Sequence, residues 1–103
     1  MDSFLNMKLS HKDVKVNEDV TYSCLFFYDN QNRDWYEVRK NWKSAIAVDK
    51  FNRVCGYEVD PSLLSMDVEI NIYEVDPNNV PPNVISNYLY QDEQFAEIIP
   101  DDK

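Results

Sequence analysis

Apolar and polar positions alternate along several short stretches of this chain, and each stretch ends at turn-forming residues. The clearest stretch is residues 66–75. Apolar and polar residues alternate here: the apolar positions are Met66, Val68, Ile70 and Ile72, and the polar positions between them are Asp67, Glu69 and Asn71. A period of two is typical of a strand with one buried face and one solvated face. The pattern predicts a strand over residues 66–75, ended by Asp76-Pro77.

Other stretches predict further strands and two hairpins. Residues 20–28 are rich in β-branched and aromatic side chains, which favour strands. Residues 44–48 and 53–59 flank a turn and predict a hairpin, and residues 88–90 and 95–99 predict another. Gly56 is the only glycine in the chain. Within a strand it indicates a bulge or a close approach of another group to the backbone.

One segment has helical spacing. Trp35, Val38 and Trp42 lie at i, i+3 and i+7, which is one face of a helix over residues 33–42. Asp34 is suited to cap its start. An aromatic strand is the alternative for this segment.

A short sequence echo also bears on the strands. Tyr-Glu-Val-Asp-Pro occurs at residues 57–61 and again at 73–77. The spacing is not that of a structural repeat, and proline cannot donate to a strand ladder. The echo therefore predicts two strands that end in the same way.

These elements suggest the organisation of the chain. We expect a flexible or loosely docked segment at residues 1–19, a single globular domain at 20–99 and a frayed tail at 100–103. The fold class is α+β and mostly β: a small antiparallel sheet of hairpins with at most one or two short helices.

Charge is distributed unevenly along the chain. The net charge is −9, from nineteen Asp and Glu against ten Lys and Arg. Residues 33–53 carry six basic residues against three acidic ones, whereas residues 54–103 carry one Lys against eleven acids. An acidic C-terminal half should repel nucleic acid and anionic membranes and attract basic protein surfaces. The alternative is that the charge only keeps the domain soluble.

Residues suited to catalysis are few. His11, the single histidine, lies beside Lys12 in a polar segment, which favours an exposed spectator over a positioned base. Cys24 and Cys55 form no CxxC pair and are expected to be buried small hydrophobes in a reducing compartment, with a disulfide possible but not implied. Two Cys and one His cannot complete a structural zinc site, and one glycine cannot build a phosphate loop. We expect no enzyme, cofactor or metal.

The sequence offers two candidate protein-binding surfaces. The acidic face collects carboxylates at strand ends and outer strand faces: Glu58, Asp60, Asp67, Glu69, Glu74 and Asp76. Such a row can dock on a basic groove, although exposed charges also protect strands from aggregation. The aromatic and basic segment consists of Arg33, Trp35, Tyr36, Arg39 and Trp42. Arg and aromatic residues are typical of interface hot spots, and the alternative is that both tryptophans anchor the core.

A family resemblance narrows the choice of partner. It is carried by Trp35, Trp42, Ala-Ile-Ala-Val-Asp at 45–49, Tyr-Glu-Val at 73–75, Pro81 and Tyr-Gln-Asp-Glu-Gln-Phe at 90–95. Over about residues 26–98 the chain resembles small accessory proteins encoded with the tail and tail-fibre genes of tailed bacteriophages and prophages. The resemblance implies a component or assembly helper of the tail, bound to a tail or fibre protein, in the host cytoplasm or the virion.

The charge distribution keeps a second function open. An acidic inhibitor, either an anti-defence protein or a toxin-immunity protein, would bind a basic nucleic-acid-handling protein of the host. Both functions are non-enzymatic, and the oligomeric state is left open by the sequence.

Overall fold

The described part of the chain, residues 1–99 of a computed structural model, forms eight strands and one short α-helix. Side chains are described for all of these residues except Lys12, Val14, Val16, Tyr22, Ser23 and Cys24. The expected fraying of residues 100–103 lies outside the described residues. The strands are β1 (Ser3–Phe4), β2 (Lys8–Asn17), β3 (Val20–Tyr28), β4 (Ala45–Val48), β5 (Val54–Glu58), β6 (Asn71–Glu74), β7 (Tyr88–Gln91) and β8 (Gln94–Glu97). The α+β, mostly-β fold class is confirmed.

A four-stranded antiparallel sheet forms the centre of the fold, with strand order β1-β6-β4-β5. Strand β4 is apolar at every position and buried on both faces, because structure covers the sheet on both sides. One face packs against Trp35, Val38, Trp42 and Leu64. The other packs against Val75, Val84 and Tyr90. The body is thus a sheet between a helical layer and the hairpin β7–β8.

The helix predicted over residues 33–42 is present as two shorter pieces. Helix α1 spans Trp35–Val38 and continues into a 3-10 turn at Arg39–Asn41. Asp34 caps it as predicted, since its carboxylate accepts a hydrogen bond from the Tyr36 N–H at 2.9 Å. The rings of Trp35 and Trp42 meet edge to face with centroids 5.2 Å apart, which fixes α1 on the sheet.

Both predicted hairpins are confirmed, as β4–β5 and β7–β8. The register of β4–β5 shifts between Ala47 and Val48, so the expected bulge is present beside Gly56. A Cβ on Gly56 would lie 3.3 Å from Leu64 Cδ1 and 3.4 Å from Ala47 Cβ. The glycine therefore allows Leu64 to pack closely against the sheet.

The strand predicted over residues 66–75 is wrong in its first half. Only Asn71–Glu74 is a strand, β6. The Asp67 carboxylate accepts a hydrogen bond from the Glu69 N–H at 3.0 Å, and the Asp67 carbonyl accepts one from the Ile70 N–H at 3.2 Å. These local bonds bend the chain before β6, because an aspartate side chain competes with the strand ladder for main-chain donors.

The N-terminal segment also differs from expectation. No regular element was expected before residue 20, yet Ser3–Phe4 is the edge strand of the central sheet and Phe4 is fully buried. Lys8–Asn17 pairs with β3 in a long two-stranded ribbon, with a bulge between Lys15 and Asn17. We call residues 8–28 the arm. The division of the chain into domains stays a prediction.

The sequence echo has a structural counterpart. Strands β5 and β6 end at Glu58 and Glu74, and an Asp-Pro pair starts a 3-10 turn two residues after each. Each aspartate caps its turn through the N–H two residues on, Asp60 to Ser62 and Asp76 to Asn78. The prediction that two strands end in the same way is confirmed.

Candidate interaction surfaces

The arm is the most distinctive surface of the molecule. The longest dimension is 63 Å against 29 and 23 Å, and the radius of gyration is 16.1 Å. A compact domain of this length has a radius of gyration of about 13 Å. The described positions of its outer half, from His11 to the turn at Glu18 and Asp19 and on to Thr21, are exposed except Val20, which is half-buried. The arm therefore projects into solvent as a two-stranded ribbon.

An ion-pair network fixes the base of the arm to the body. Arg33 contacts Asp2 (Nη1 to Oδ2, 2.8 Å) and Asp29 (Nη2 to Oδ2, 2.7 Å), and it donates to the Ser3 carbonyl. Asp29 directly follows β3, and Asp2 directly precedes β1. Arg33 therefore ties the arm to the edge strand of the central sheet.

The network also accounts for the acidity of Asp2. Burial by itself raises the pKa of the Asp2 carboxyl, but hydrogen bonds from Arg33, the Ser3 N–H and the Trp42 indole N–H outweigh it. The pKa consequently lies below its ordinary value. At neutral pH the carboxylate is charged and paired with Arg33.

The aromatic and basic segment separates into a buried part and an exposed part. Trp35 and Trp42 are 2% and 7% exposed, in agreement with the alternative that they anchor the core. Tyr36 is 40% exposed, and the Arg39 guanidinium lies 4.6 Å from its ring centroid. The Tyr36 hydroxyl donates to the Leu25 carbonyl at 3.4 Å. Tyr36 and Arg39 therefore form a pair beside strand β3, where the arm leaves the body, with Tyr36 exposed and Arg39 half-buried.

Two members of the acidic face lie on opposite sides of one residue. Glu58 and Glu74 both pair with Ala45, from β5 and β6 respectively. Their Cα atoms are thus two strand spacings apart, about 10 Å. The Glu74 carboxylate accepts a hydrogen bond from the Asp2 N–H at 3.0 Å, so it also holds the N-terminus to the sheet.

The other four acidic candidates lie in turns. Asp60 and Asp76 cap the two 3-10 turns, and Asp67 closes the turn before β6. The Ser62 hydroxyl and N–H lower the pKa of Asp60. Glu69 is exposed, as are Asp60 and Asp67. The structure therefore distributes the six acids between the end of the sheet and the surrounding turns, and three of them already serve as hydrogen-bond acceptors for local N–H groups.

One depression brings a thiol close to a carboxylate. Cys55, Asp67 and Glu58 line a depression of about 360 Å³ together with Leu64, Met66 and Ile70. Burial raises the pKa of the Cys55 thiol, and so do the charges of Asp49 and Asp67. A raised pKa disfavours the thiolate, which is the nucleophilic form. The lining of this depression does not include His11, which lies on the arm, so the thiol has no imidazole base there. Glu69 is also outside the lining.

The environment of Cys55 corrects an expectation. Cys55 is an exposed free cysteine and not a buried small hydrophobe. It lies at the bulge of β5, where the register skips from Gly56 to Val54, so its side chain lies outside the buried row. The side chain of Cys24 lies outside the described part of the structure.

A larger depression lies along the loop that precedes β7. This depression of about 500 Å³ is lined by Tyr57, Val80, Pro81, Pro82, Asn83, Val84, Ile85 and Asn87, with no carboxylate, thiol or imidazole. Among the described residues, no three His, Cys, Asp or Glu side chains converge as metal ligands would. No helix within residues 1–99 has the length and apolar character that crossing a membrane requires. Neither a protein-family model nor a curated protein matches the chain.

The strand predicted at residues 20–28 is confirmed as β3, but its partner β2, and with it the arm, was not predicted. Its signal lies in residues 14–21, where Val14, Val16 and Val20 flank the turn formers Asn17 and Asp19. A valine alternation that leads into a polar turn and then into a strong strand is the pattern of a hairpin. The lysines of β2 interrupt the apolar alternation that would indicate a strand. A strand outside the core tolerates them because it needs no continuous apolar face.

Proposed function

We propose that this protein is a non-enzymatic binding module that acts as a structural or assembly component of a larger protein complex. The family resemblance names the tail of a tailed bacteriophage as that complex. The projecting arm is the observation that supports an assembly role. A ribbon that extends beyond the body can reach a neighbouring subunit, whereas a rigid inhibitor needs only a compact surface.

The base of the arm supports this role further. A two-stranded hairpin by itself is marginally stable in water, so the arm gains stability by pairing with another protein. The network of Arg33, Asp2 and Asp29 holds the base in a fixed direction. Tyr36 and Arg39 add an exposed aromatic ring beside a half-buried guanidinium, a pair of the kind enriched in hot spots, next to the arm. The arm and this pair together form the proposed binding surface.

Localisation follows from the same proposal. A tail component is made in the host cytoplasm and ends in the virion if it is structural, or stays in the cytoplasm if it only assists assembly. Its partner is a tail or fibre protein, with no direct contact to nucleic acid or membrane.

A variant with a shortened arm tests the proposal. Replacing residues 13–23 with Asn-Gly joins Lys12 to Cys24, which are cross-strand partners, through a two-residue turn. We expect the tagged full chain to co-sediment with tails or tail intermediates from cells in which a tailed phage assembles. The shortened variant should remain at the top of the gradient while its body stays folded by circular dichroism. A full chain that joins no particle and binds no tail protein contradicts the proposal.

A second function is supported by charge alone. Residues 54–99 contain nine Asp and Glu and no Lys or Arg. An acidic inhibitor of a basic nucleic-acid-handling protein would use this half of the chain, with Asp67 and Glu69 as exposed contacts. Its binding would weaken steeply with salt and on charge reversal at Glu69, but it would not depend on the arm. The shortened-arm variant therefore distinguishes the two functions.

A further inference from the structure

The two long edges of the arm differ in charge. Strand β2 carries Lys8, Lys12, Asp13 and Lys15, whereas β3 has no charged residue in nine positions and neither proline nor glycine. Charged residues, above all lysine, are the usual protection of an exposed strand edge. Strand β2 has this protection and β3 lacks it.

The open part of the β3 edge can be located from its hydrogen bonds. Near the body, Tyr28 forms a bridge with Asp34, and the Leu25 carbonyl accepts the Tyr36 hydroxyl. The Leu25 carbonyl therefore faces away from β2. Main-chain groups of a strand alternate between its two edges, and the register is continuous here, so those of Ser23 and Thr21 face the same way. Among the described strands, only β2 is in a sheet with β3.

We propose that the β3 edge pairs with the β3 edge of a second copy of this chain, antiparallel and about a two-fold axis. The two arms then form one four-stranded sheet in the order β2-β3-β3-β2. This inference specifies one contact of the proposed binding surface. It depends on the proposed function only in taking the arm to be a binding element.

The absence of charge on β3 favours a second copy as the occupant. A two-fold contact places a strand against itself, so any charged residue near the axis would face a like charge. Strand β3 has none, whereas the lysines of β2 lie on the outer edges of the combined sheet. Centring the pair on Tyr22 joins Thr21 of each copy to Ser23 of the other. This register leaves the bond between Tyr36 and Leu25 in place.

Charge complementarity at the ends of the arms supports the same arrangement. In this register the turn of one arm, with Glu18 and Asp19, lies beside Leu25 and Phe26 of the second copy. Tyr36 packs on Phe26 there, with ring centroids 5.7 Å apart, and Arg39 lies over Tyr36. The acidic turn thus approaches Arg39 at the base of the other arm, at both ends of the dimer.

Matched proline variants test the pairing. Ser23→Pro removes an outward N–H from the β3 edge. Asp13→Pro removes the corresponding outward N–H from the β2 edge, because Asp13 is the cross-strand partner of Ser23. By sedimentation equilibrium at on the order of 100 µM, we expect the unaltered chain and Asp13→Pro to have a mass of about 24 kDa, twice the 12.2 kDa of one chain. Ser23→Pro should have the mass of one chain.

A second variant tests the pairing without proline, which could itself distort the hairpin. Ser23→Lys keeps the N–H but puts a charge on the neutral edge, and it should raise the dimer dissociation constant at least tenfold. Replacing Glu18 with Gln and Asp19 with Asn should weaken the dimer several-fold and remove most of its salt dependence.

The outcomes separate the pairing from the proposed function. A monomeric unaltered chain overturns the pairing, and so does a dimer that persists in both Ser23 variants or is lost equally in Asp13→Pro. A monomer that still joins tails through its arm leaves the proposed function standing and shows that a different protein occupies the edge. A dimer that joins no tail supports the pairing and contradicts the tail role.

Discussion

Arg33 and Asp29 form an ion pair in which the carboxylate is fully buried and the guanidinium is 30% exposed, with Nη2 lying 2.7 Å from Oδ2. The same carboxylate accepts hydrogen bonds from the main-chain N–H groups of Gln31 and Arg33. The pair lies where the arm joins the body, so we expect it to contribute both to the stability of the fold and to the direction of the arm.

Removing the arginine should therefore be costly. In Arg33→Ala, Asp29 keeps its main-chain partners but loses its counter-ion, and we expect a loss of about 3 kcal/mol in the free energy of unfolding. Urea denaturation followed by tryptophan fluorescence measures this. Arg33→Lys is the control: one ammonium cannot reach all three of Asp2, Asp29 and the Ser3 carbonyl, so it should recover only part of the loss. A loss below about 1 kcal/mol in Arg33→Ala would show that the pair contributes little.

Acid should weaken the fold partly through Asp2. Its pKa is lower in the folded chain than the ordinary 3.8, so its contribution is fully present above that pH. The contribution is lost as pH falls from about 3.8 through the lower folded pKa, because the unfolded chain takes up the proton first. Asp2→Asn should lower stability at pH 7 and flatten the pH dependence of unfolding below pH 4. An unchanged slope in this variant contradicts the assignment.

The last hairpin contains a position that glycine should improve. Asp92 and Glu93 form its two-residue turn, and both have positive φ, at 52° and 63°. A left-handed conformation costs a residue with a Cβ roughly 1 kcal/mol, and Asp-Gly is a preferred pair for this turn. Glu93→Gly should raise the free energy of unfolding by about 0.5–1 kcal/mol. The exposed contact of Glu93 with the N-terminus, at 3.5 Å, is too weak to offset this gain. Gln91→Gly, outside the turn, serves as the control and should destabilise.

The thiol of Cys55 should react slowly. Its pKa is raised, so alkylation by iodoacetamide at pH 8 should be slower than for a free cysteine in solution. Asp67→Asn removes one of the negative charges that raise this pKa, and it should speed the reaction at pH 8. The rates should be compared in a Cys24→Ser background, so that only one thiol reacts. Equal rates with and without the Asp67 charge would contradict this electrostatic cause.

Local sequence signals were sufficient where they agreed with the tertiary structure. Asp34 caps α1, Asp60 and Asp76 each start an Asp-Pro turn, and the apolar run of β4 is buried on both faces. These features depend on side chains and neighbours within a few residues, so the sequence contains the information that determines them.

The strand prediction failed where an aspartate side chain took a main-chain donor that a regular strand would use. Residues 66–70 alternate as a strand does, yet the Asp67 carboxylate binds the Glu69 N–H and bends the chain. Periodicity records which face is apolar and not where main-chain donors find their acceptors. The N-terminal strands were missed for a different reason: Phe4 is buried only because β6, almost seventy residues later, provides the partner strand.

The candidate surfaces were predictable only in part. Tyr36 is exposed and Arg39 is half-buried beside it, but the burial of the tryptophans on either side of them depends on the tertiary fold. Strand β2, and with it the arm, escaped prediction because a strand outside the core needs no continuous apolar face.

The asymmetry of the arm also limits how large a complex it can build. Once two β3 strands have joined, the sheet is bounded on both sides by lysine-bearing β2 strands, which discourage a third chain from adding. A contact of one edge with itself closes at two copies, whereas a contact between two different edges repeats as a ring or an open fibre. In the proposed pairing, a ribbon with a single uncharged strand therefore gives a complex of fixed stoichiometry, whereas a ribbon with two uncharged strands would favour amyloid-like growth.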